Sequence, residues 1–175
     1  MARAANMTGF FSSAIPFSLA FVGILIANFP VSLMNGRVPP PLFVLMPIYF
    51  WTLVRPDLMR PSAIFVLGFL EDLLSGGGWP MGVWTLSFVA TYAVVDRNRD
   101  IFAGLGGFYA ILGFATAAFI ACGAAYLVVT IYFWRLSSIV PLATELATTV
   151  VFYIPVVLIL GVLHRRFVGP LRREF

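Results

Sequence analysis

Apolar residues run along this chain in blocks rather than in a narrow periodic stripe. The blocks end at arginines, prolines and glycine clusters. Cutting there gives six apolar spans, at about residues 15–34, 40–54, 61–74, 81–95, 102–131 and 139–163. A helix apolar on every side must be surrounded by apolar matter, either protein or lipid. Asn35-Gly36-Arg37 reads as the first loop, and the prolines Pro39 to Pro41 open the second span. That span ends in Tyr49-Phe50-Trp51, an interfacial type of aromatic cluster. The loop from Arg55 to Arg60 follows. Ser75 to Pro80, with three successive glycines, reads as a tight turn. Asp96 to Asp100 separates the fourth and fifth spans. A basic tail, 164–175, closes the chain. The first span has the look of a signal peptide, but it is long and lacks a small-x-small cleavage site, so it is expected to be a retained helix.

Spans two to four hold only 14 or 15 residues each. At ~1.5 Å per residue they reach roughly 22 Å, short of the ~30 Å hydrocarbon core. Flanking prolines and arginines can lengthen each helix into the interface, and this is the expected arrangement. Local thinning of the bilayer and a re-entrant pair formed by spans three and four are the alternatives. No internal repeat stands out, so nothing points to an inverted-repeat transporter.

Composition narrows the solvent. Of 175 residues, 61% are hydrophobic and 10% charged, against about 25% charged in an ordinary soluble domain. The mean hydropathy is +1.00. The expected fold is therefore an all-α integral membrane protein of about six transmembrane helices, a single domain over 1–175 in the lipid bilayer. All eleven basic residues are arginine. They sit at the ends of apolar runs, where they set topology, and do not form the stripe a nucleic acid would need. With both termini in the cytoplasm, the inner segments hold Arg3, Arg55, Arg60, Arg97, Arg99, Arg165, Arg166, Arg172 and Arg173, and the outer ones only Arg37 and Arg135. That bias fixes the expected orientation of a multi-pass membrane protein.

Candidate chemistry is sparse. Cys122 is a lone thiol inside an apolar run, read as buried and inert. The single histidine, His164, stands beside Arg165 and Arg166 and has no partners for a metal site. No P-loop and no Ser-His-Asp or Cys-His arrangement is present, so no enzyme, cofactor or metal is expected.

Three carboxylates fall inside the spans: Glu71, Asp72 and Glu145. Each costs roughly 2.5–3.5 kcal/mol at a helix centre on insertion scales. Gly68, Asp72 and Ser75 share one helical stripe, and Glu71 lies about 100° away on the same broad side. The pair can sit at the outer interface, cap the next helix or pair with Arg37 or Arg135; a buried contact between helices or with a partner is the sharper reading. Glu145 starts a second polar stripe with Thr148 and Thr149. The two stripes fall on the same side of the membrane and could line a shared outward cavity. In the fifth span, Gly113, Ala117, Ala121 and Ala125 recur every four residues, preceded by Gly106 and Ala110. Such a face lets helices approach closely, either within the chain or with a partner helix.

The stretch P-I-Y-F-W-T-L-V-R-P-D, followed by G-F-L-E-D-L-L-S-G-G-G-W-P-M-G-V-W-T-L, resembles MreD, the family of small bacterial rod shape-determining membrane proteins. Tyr49 and Trp51 take the aromatic positions; Gly68, Asp72, Leu73, Leu74, Gly76 and Gly82 take those of the second segment. The motifs cover roughly a third of the chain, while length and span count agree throughout. Three departures stand out. Glu71 adds a second acid, the glycine turn is longer, and Trp84 replaces a histidine or small polar residue. The resemblance implies a non-enzymatic scaffold of the cell-elongation machinery that binds MreC-like partners, and through them MreB, RodA and a class B penicillin-binding protein. It also implies a helical fold similar to the substrate-binding subunits of vitamin transporters. The rival is such a transport subunit, with a ligand in an outward cavity near Asp72, Glu145 and Trp79.

Overall fold

The computed structural model describes residues 2–29, 39–76, 80–136 and 138–168, with side chains from residue 14. The described residues are all-helical or irregular. In order they form α1 (Ala2–Ala27), α2 (Leu45–Val54), α3 (Pro61–Leu74), α4 (Val83–Arg97), α5 (Arg99–Ala103), α6 (Phe108–Phe133) and α7 (Ile139–Leu163), ending in a π-helical turn at His164–Val168.

The short helix α2 is the hub. Leu45, Met46, Pro47, Ile48, Tyr49, Trp51 and Thr52 are all buried, and α1, α4, α5, α6 and α7 all pack against it. A helix apolar all round needs this kind of enclosure. The chain enters it through a non-helical stretch, 39–44, because the prolines lack the N–H groups that a helix needs. Buried backbone donors there must find partners, and the Leu42 N–H donates to Thr149 Oγ1 at 3.0 Å. On the other side, Gly23 of α1 lets that stretch come close: a Cβ there would lie 2.8 Å from the Phe43 carbonyl oxygen.

Aromatic rings join the hub to the rest. Tyr49 meets Phe102, Phe114 and Tyr153 edge-on with centroids 5.4–6.1 Å apart, and Phe114 and Tyr153 stack at 3.8 Å and 10°. Each such pair adds roughly 0.5–1.5 kcal/mol beyond its buried area. The small stripe of α6 lets these elements approach. A Cβ on Gly113 would lie 2.7 Å from the Tyr49 hydroxyl.

The outer surface is apolar. Phe119, Leu127, Ile131, Val151 and Leu158 are each more than 60% exposed, far from what a soluble surface of this size shows in one contiguous patch. Phe108–Phe133 and Ile139–Phe167 are long and apolar enough to cross a membrane.

The sequence boundaries hold unevenly. Helices α3 and α7 match their spans at 61–74 and 139–163, and α4 is shifted by two residues. Three boundaries need correction. Span two is helical only from Leu45. The fifth span is not one helix: it breaks over Gly104 to Gly107, where Gly107 has φ +56°, so Gly106 lies off the helix. The expected lengthening of spans two and three is not seen either, since α2 has 10 residues and α3 starts at Pro61 and stops at Leu74. Helix α1 begins at Ala2 and ends at Ala27; the rest of the first span beyond residue 29, and the Asn35-Gly36-Arg37 loop, lie outside the described residues.

Candidate functional site

Helix α4 begins without a cap of its own. Its N-cap position is Gly82, held at φ +97° and bearing no side chain to satisfy the first N–H groups. Such orphan donors need an acceptor from elsewhere. Asp72, on α3, supplies it. Its Oδ1 accepts from the Trp84 N–H at 2.9 Å, and its Oδ2 from the Thr85 N–H at 3.0 Å and the Thr85 hydroxyl at 2.6 Å. The carboxylate thus works as an N-cap in trans, with the helix dipole adding to the attraction. One turn before it, Gly68 sits directly on the same residue: a Cβ there would lie 2.6 Å from the Thr85 Cα. Gly68 and Asp72 therefore act together, the glycine permitting the approach and the acid fixing it. Ser75, third in that stripe, donates its hydroxyl to the Asp72 carbonyl at 3.3 Å.

Glu71 points elsewhere. It is buried, and its Oε1 accepts from Asn28 Nδ2 at 3.2 Å, just past the end of α1. Among the described residues its Oε2 meets no hydrogen-bond donor. Neither acid of the pair joins Arg135 in an ion pair among the described residues; Arg37 lies outside them.

Glu145, two turns into α7, lines a cavity of about 190 Å³ whose walls include Val83, Trp84, Ala125, Tyr126 and Leu142. Neither Glu71 nor Asp72 lines it, so the shared carboxylate cavity is not what forms. The link is indirect: Asp72 holds the backbone of Trp84, and Trp84 forms a wall. Glu71 and Glu145 are nevertheless near enough to interact electrostatically. Trp79 lies outside the described residues.

Gly113, Ala117 and Ala121 are buried inside the chain, as is Ala125. Helix α6 packs there against α4, α7 and α2. This takes the stripe away from a partner helix and corrects its candidacy as a docking face; the exposed residues of α6, such as Phe119 and Leu127, lie on its other sides.

The opposite end of the bundle is basic. Arg55 forms a two-pronged contact with Asp57, at 2.9 Å and 2.8 Å. Arg99 reaches the field of Asp57, and Arg55 and Arg165 that of His164. His164 packs edge-on against Trp51 at 5.7 Å. The hydrogen bond from Arg55 holds the Asp57 carboxyl below its ordinary value of 3.8. A depressed pKa gives stability that is present above pH 3.8 and lost as the pH falls further. Asp57 is 44% exposed, so the gain is small, at most ~1 kcal/mol. Asp57→Asn should therefore unfold slightly more easily than wild type at pH 7, and the gap should close in titrations taken down toward pH 2. A gap independent of pH would assign the effect to something other than the ion pair.

Sequence reading missed Asn28 and Thr85, the partners of Glu71 and Asp72, and it placed Thr149 on the Glu145 stripe without foreseeing its bond to the Leu42 N–H. For Thr85 a signal was available, since a helix starting at Gly82 has no cap of its own. Among the described residues no three histidine, cysteine or acidic side chains cluster as a metal set. Compared with protein-family models, with curated proteins and with solved structures, the chain matches none.

Proposed function

We propose that this chain is a multi-pass membrane scaffold of the bacterial cell-elongation machinery, which regulates rod shape and lateral wall synthesis by binding an MreC-like partner. In this reading the chain is one membrane domain in the cytoplasmic membrane, with six crossings and both termini inside. The apolar outer surface supports lipid as the solvent. The gathering of Arg55, Arg99 and Arg165 at one end of the bundle, away from Asp72 and Glu145, supports the orientation. The short helices α2 to α4 suit it as well, because α2 is wrapped by other helices and its non-helical lead-in is satisfied internally.

One observation carries the scaffold reading. Gly68 and Asp72, two of the residues on which the resemblance rests, are spent on holding α3 to α4. A motif used for architecture suits a protein whose work is to present a fixed surface. With the small stripe of α6 enclosed, the partner helix is left the exposed faces of α6 and α7. A tagged chain extracted in mild detergent should bring down a single-span MreC-like protein. If instead an ATPase subunit co-purifies, the transport reading takes over, and the cavity beside Glu145 is the observation that favours it. A reporter fused to the C-terminus should report a cytoplasmic position; a periplasmic one would remove the six-crossing topology.

A further inference from the structure

The cavity beside Glu145 has a composition that neither architecture nor partner docking requires. It lies between the start of α4, the later part of α6 and the first turns of α7, and its volume is about 190 Å³. An apolar cavity of ~150 Å³ is enough for benzene. The walls are almost wholly apolar, from Val83, Ala125, Val129, Leu142 and the ring of Trp84. Glu145 is the one acidic residue of the lining, and among the described residues no arginine, lysine or histidine lines the cavity. Among the described residues, the charged group near enough to act on Glu145 is Glu71, itself a carboxylate. A carboxyl placed in apolar surroundings without a counter-cation is costly. The aromatic rings of Trp84 and Tyr126 flank the same space, and ring faces attract cations.

We infer that the cavity beside Glu145 is a binding site for a small organic ammonium compound with an apolar body. The carboxylate pairs with the ammonium group, the aromatic rings face its charge, and the aliphatic wall from Val83 to Leu142 takes the hydrocarbon. The position of Trp84 in this wall is set by Asp72, whose Oδ1 holds the Trp84 N–H. The site needs only the cavity, so it stands or falls separately from the scaffold reading. A lipid chain would fill the apolar part but leave the carboxylate without a partner. The volume, the wall and the charge together fit an arylalkyl or alkyl ammonium.

The test uses the full chain in lipid nanodiscs, titrated calorimetrically with benzylammonium and with neutral benzyl alcohol, with empty nanodiscs subtracted. Wild type is expected to bind benzylammonium at least tenfold more tightly than benzyl alcohol. Glu145→Gln should lose that preference by tenfold or more while keeping the weak binding of the alcohol. Ala125→Leu, which fills the cavity and leaves the carboxylate in place, should lose both. Thermal unfolding of each variant checks that it is folded, and in wild type benzylammonium should raise the midpoint more than benzyl alcohol does. Equal binding of the two probes by wild type, or unchanged benzylammonium binding by a folded Glu145→Gln, would reduce the cavity to an apolar slot and overturn the site. No saturable binding of benzylammonium by wild type would overturn it as well.

Discussion

Asp72→Ala should be among the most damaging single changes in this chain. The substitution removes the acceptor of three hydrogen bonds at once and leaves the Trp84 N–H, the Thr85 N–H and the Thr85 hydroxyl inside the bundle. A hydrogen bond to a charged group is worth ~1.5–3 kcal/mol, and a buried donor left without a partner costs ~1–3 kcal/mol. The terms overlap and do not add in full, so a net loss of about 3–5 kcal/mol is expected, as for other broken buried polar networks. Asp72→Asn keeps one acceptor oxygen but sets an amide N–H₂ against a donor, and should fall between wild type and Asp72→Ala. The adjacent acid is the control. Glu71→Gln keeps an oxygen for Asn28 and removes an incompletely partnered carboxyl, so it should stay within about 1 kcal/mol of wild type. Denaturant titration in mild detergent, followed by tryptophan fluorescence, ranks the three. Equal stability of Asp72→Ala and Glu71→Gln would mean that the cap does not hold α3 to α4.

This contrast between neighbours shows what the sequence can and cannot say. Helical spacing put Gly68, Asp72 and Ser75 on one stripe with Glu71 on the same broad side, whereas in the structure the two acids part, Asp72 to Thr85 and Glu71 to Asn28. Capping of the next helix was one use open to the acids; which helix and which donors are tertiary facts. The ends of α3 and α7 were legible because Arg60-Pro61 and Ser138-Ile139 change chemistry abruptly, with Pro61 free of a needed N–H and the Ser138 hydroxyl accepting from Val140. The break between α5 and α6 was not legible. Gly104, Gly106 and Gly107 sit in an apolar run, and membrane helices often carry glycine; nothing local distinguishes a tolerated glycine from one at φ +56°. The start of α2 was misplaced for a related reason. A run of prolines marks an unpaired backbone, but the partner that satisfies the Leu42 N–H in that stretch, Thr149, lies more than a hundred residues away.

The small-residue stripe of α6 teaches the same lesson from the other side. Its spacing correctly announced close helix approach, yet spacing is blind to which helix approaches. The answer lies in bulk contributed by other elements: Tyr49 from α2 and Phe102 from α5 fill the space beside Gly113. Ring stacking between Phe114 and Tyr153 then fixes α6 against α7. None of these pairs has a sequence signal, because each joins side chains whose distance along the chain carries no period.

Gly68→Ala is the second large effect, and two opposing terms decide its sign. Alanine is favoured over glycine inside a helix by ~1 kcal/mol. Against this, the new Cβ would lie 2.6 Å from the Thr85 Cα, 3.0 Å from the Thr85 nitrogen and 3.2 Å from the Trp84 carbonyl oxygen. All three are backbone atoms, so no side chain can swing aside; α3 and α4 must separate. Overpacking commonly costs ~1–3 kcal/mol and more where neither side can yield. Separation would also stretch the Asp72 bonds to Thr85, which raises the cost further. A net loss of about 2–3 kcal/mol is expected once the propensity gain is set against these terms. Two other glycines calibrate it. Gly123→Ala adds a Cβ with nothing within 4 Å, and should be neutral or gain up to ~1 kcal/mol. The three atoms nearest a Cβ on Gly113 are all side-chain atoms, of Tyr49, Leu105 and Phe102, so Gly113→Ala should lie between the two. Because Gly68 and Asp72 act on the same residue, the double variant Gly68→Ala/Asp72→Ala should lose less than the sum of the singles, by at least ~0.5 kcal/mol. Full additivity, or a Gly68→Ala chain as stable as Gly123→Ala, would separate the glycine from the cap and leave the close approach of α3 to α4 without its energetic role.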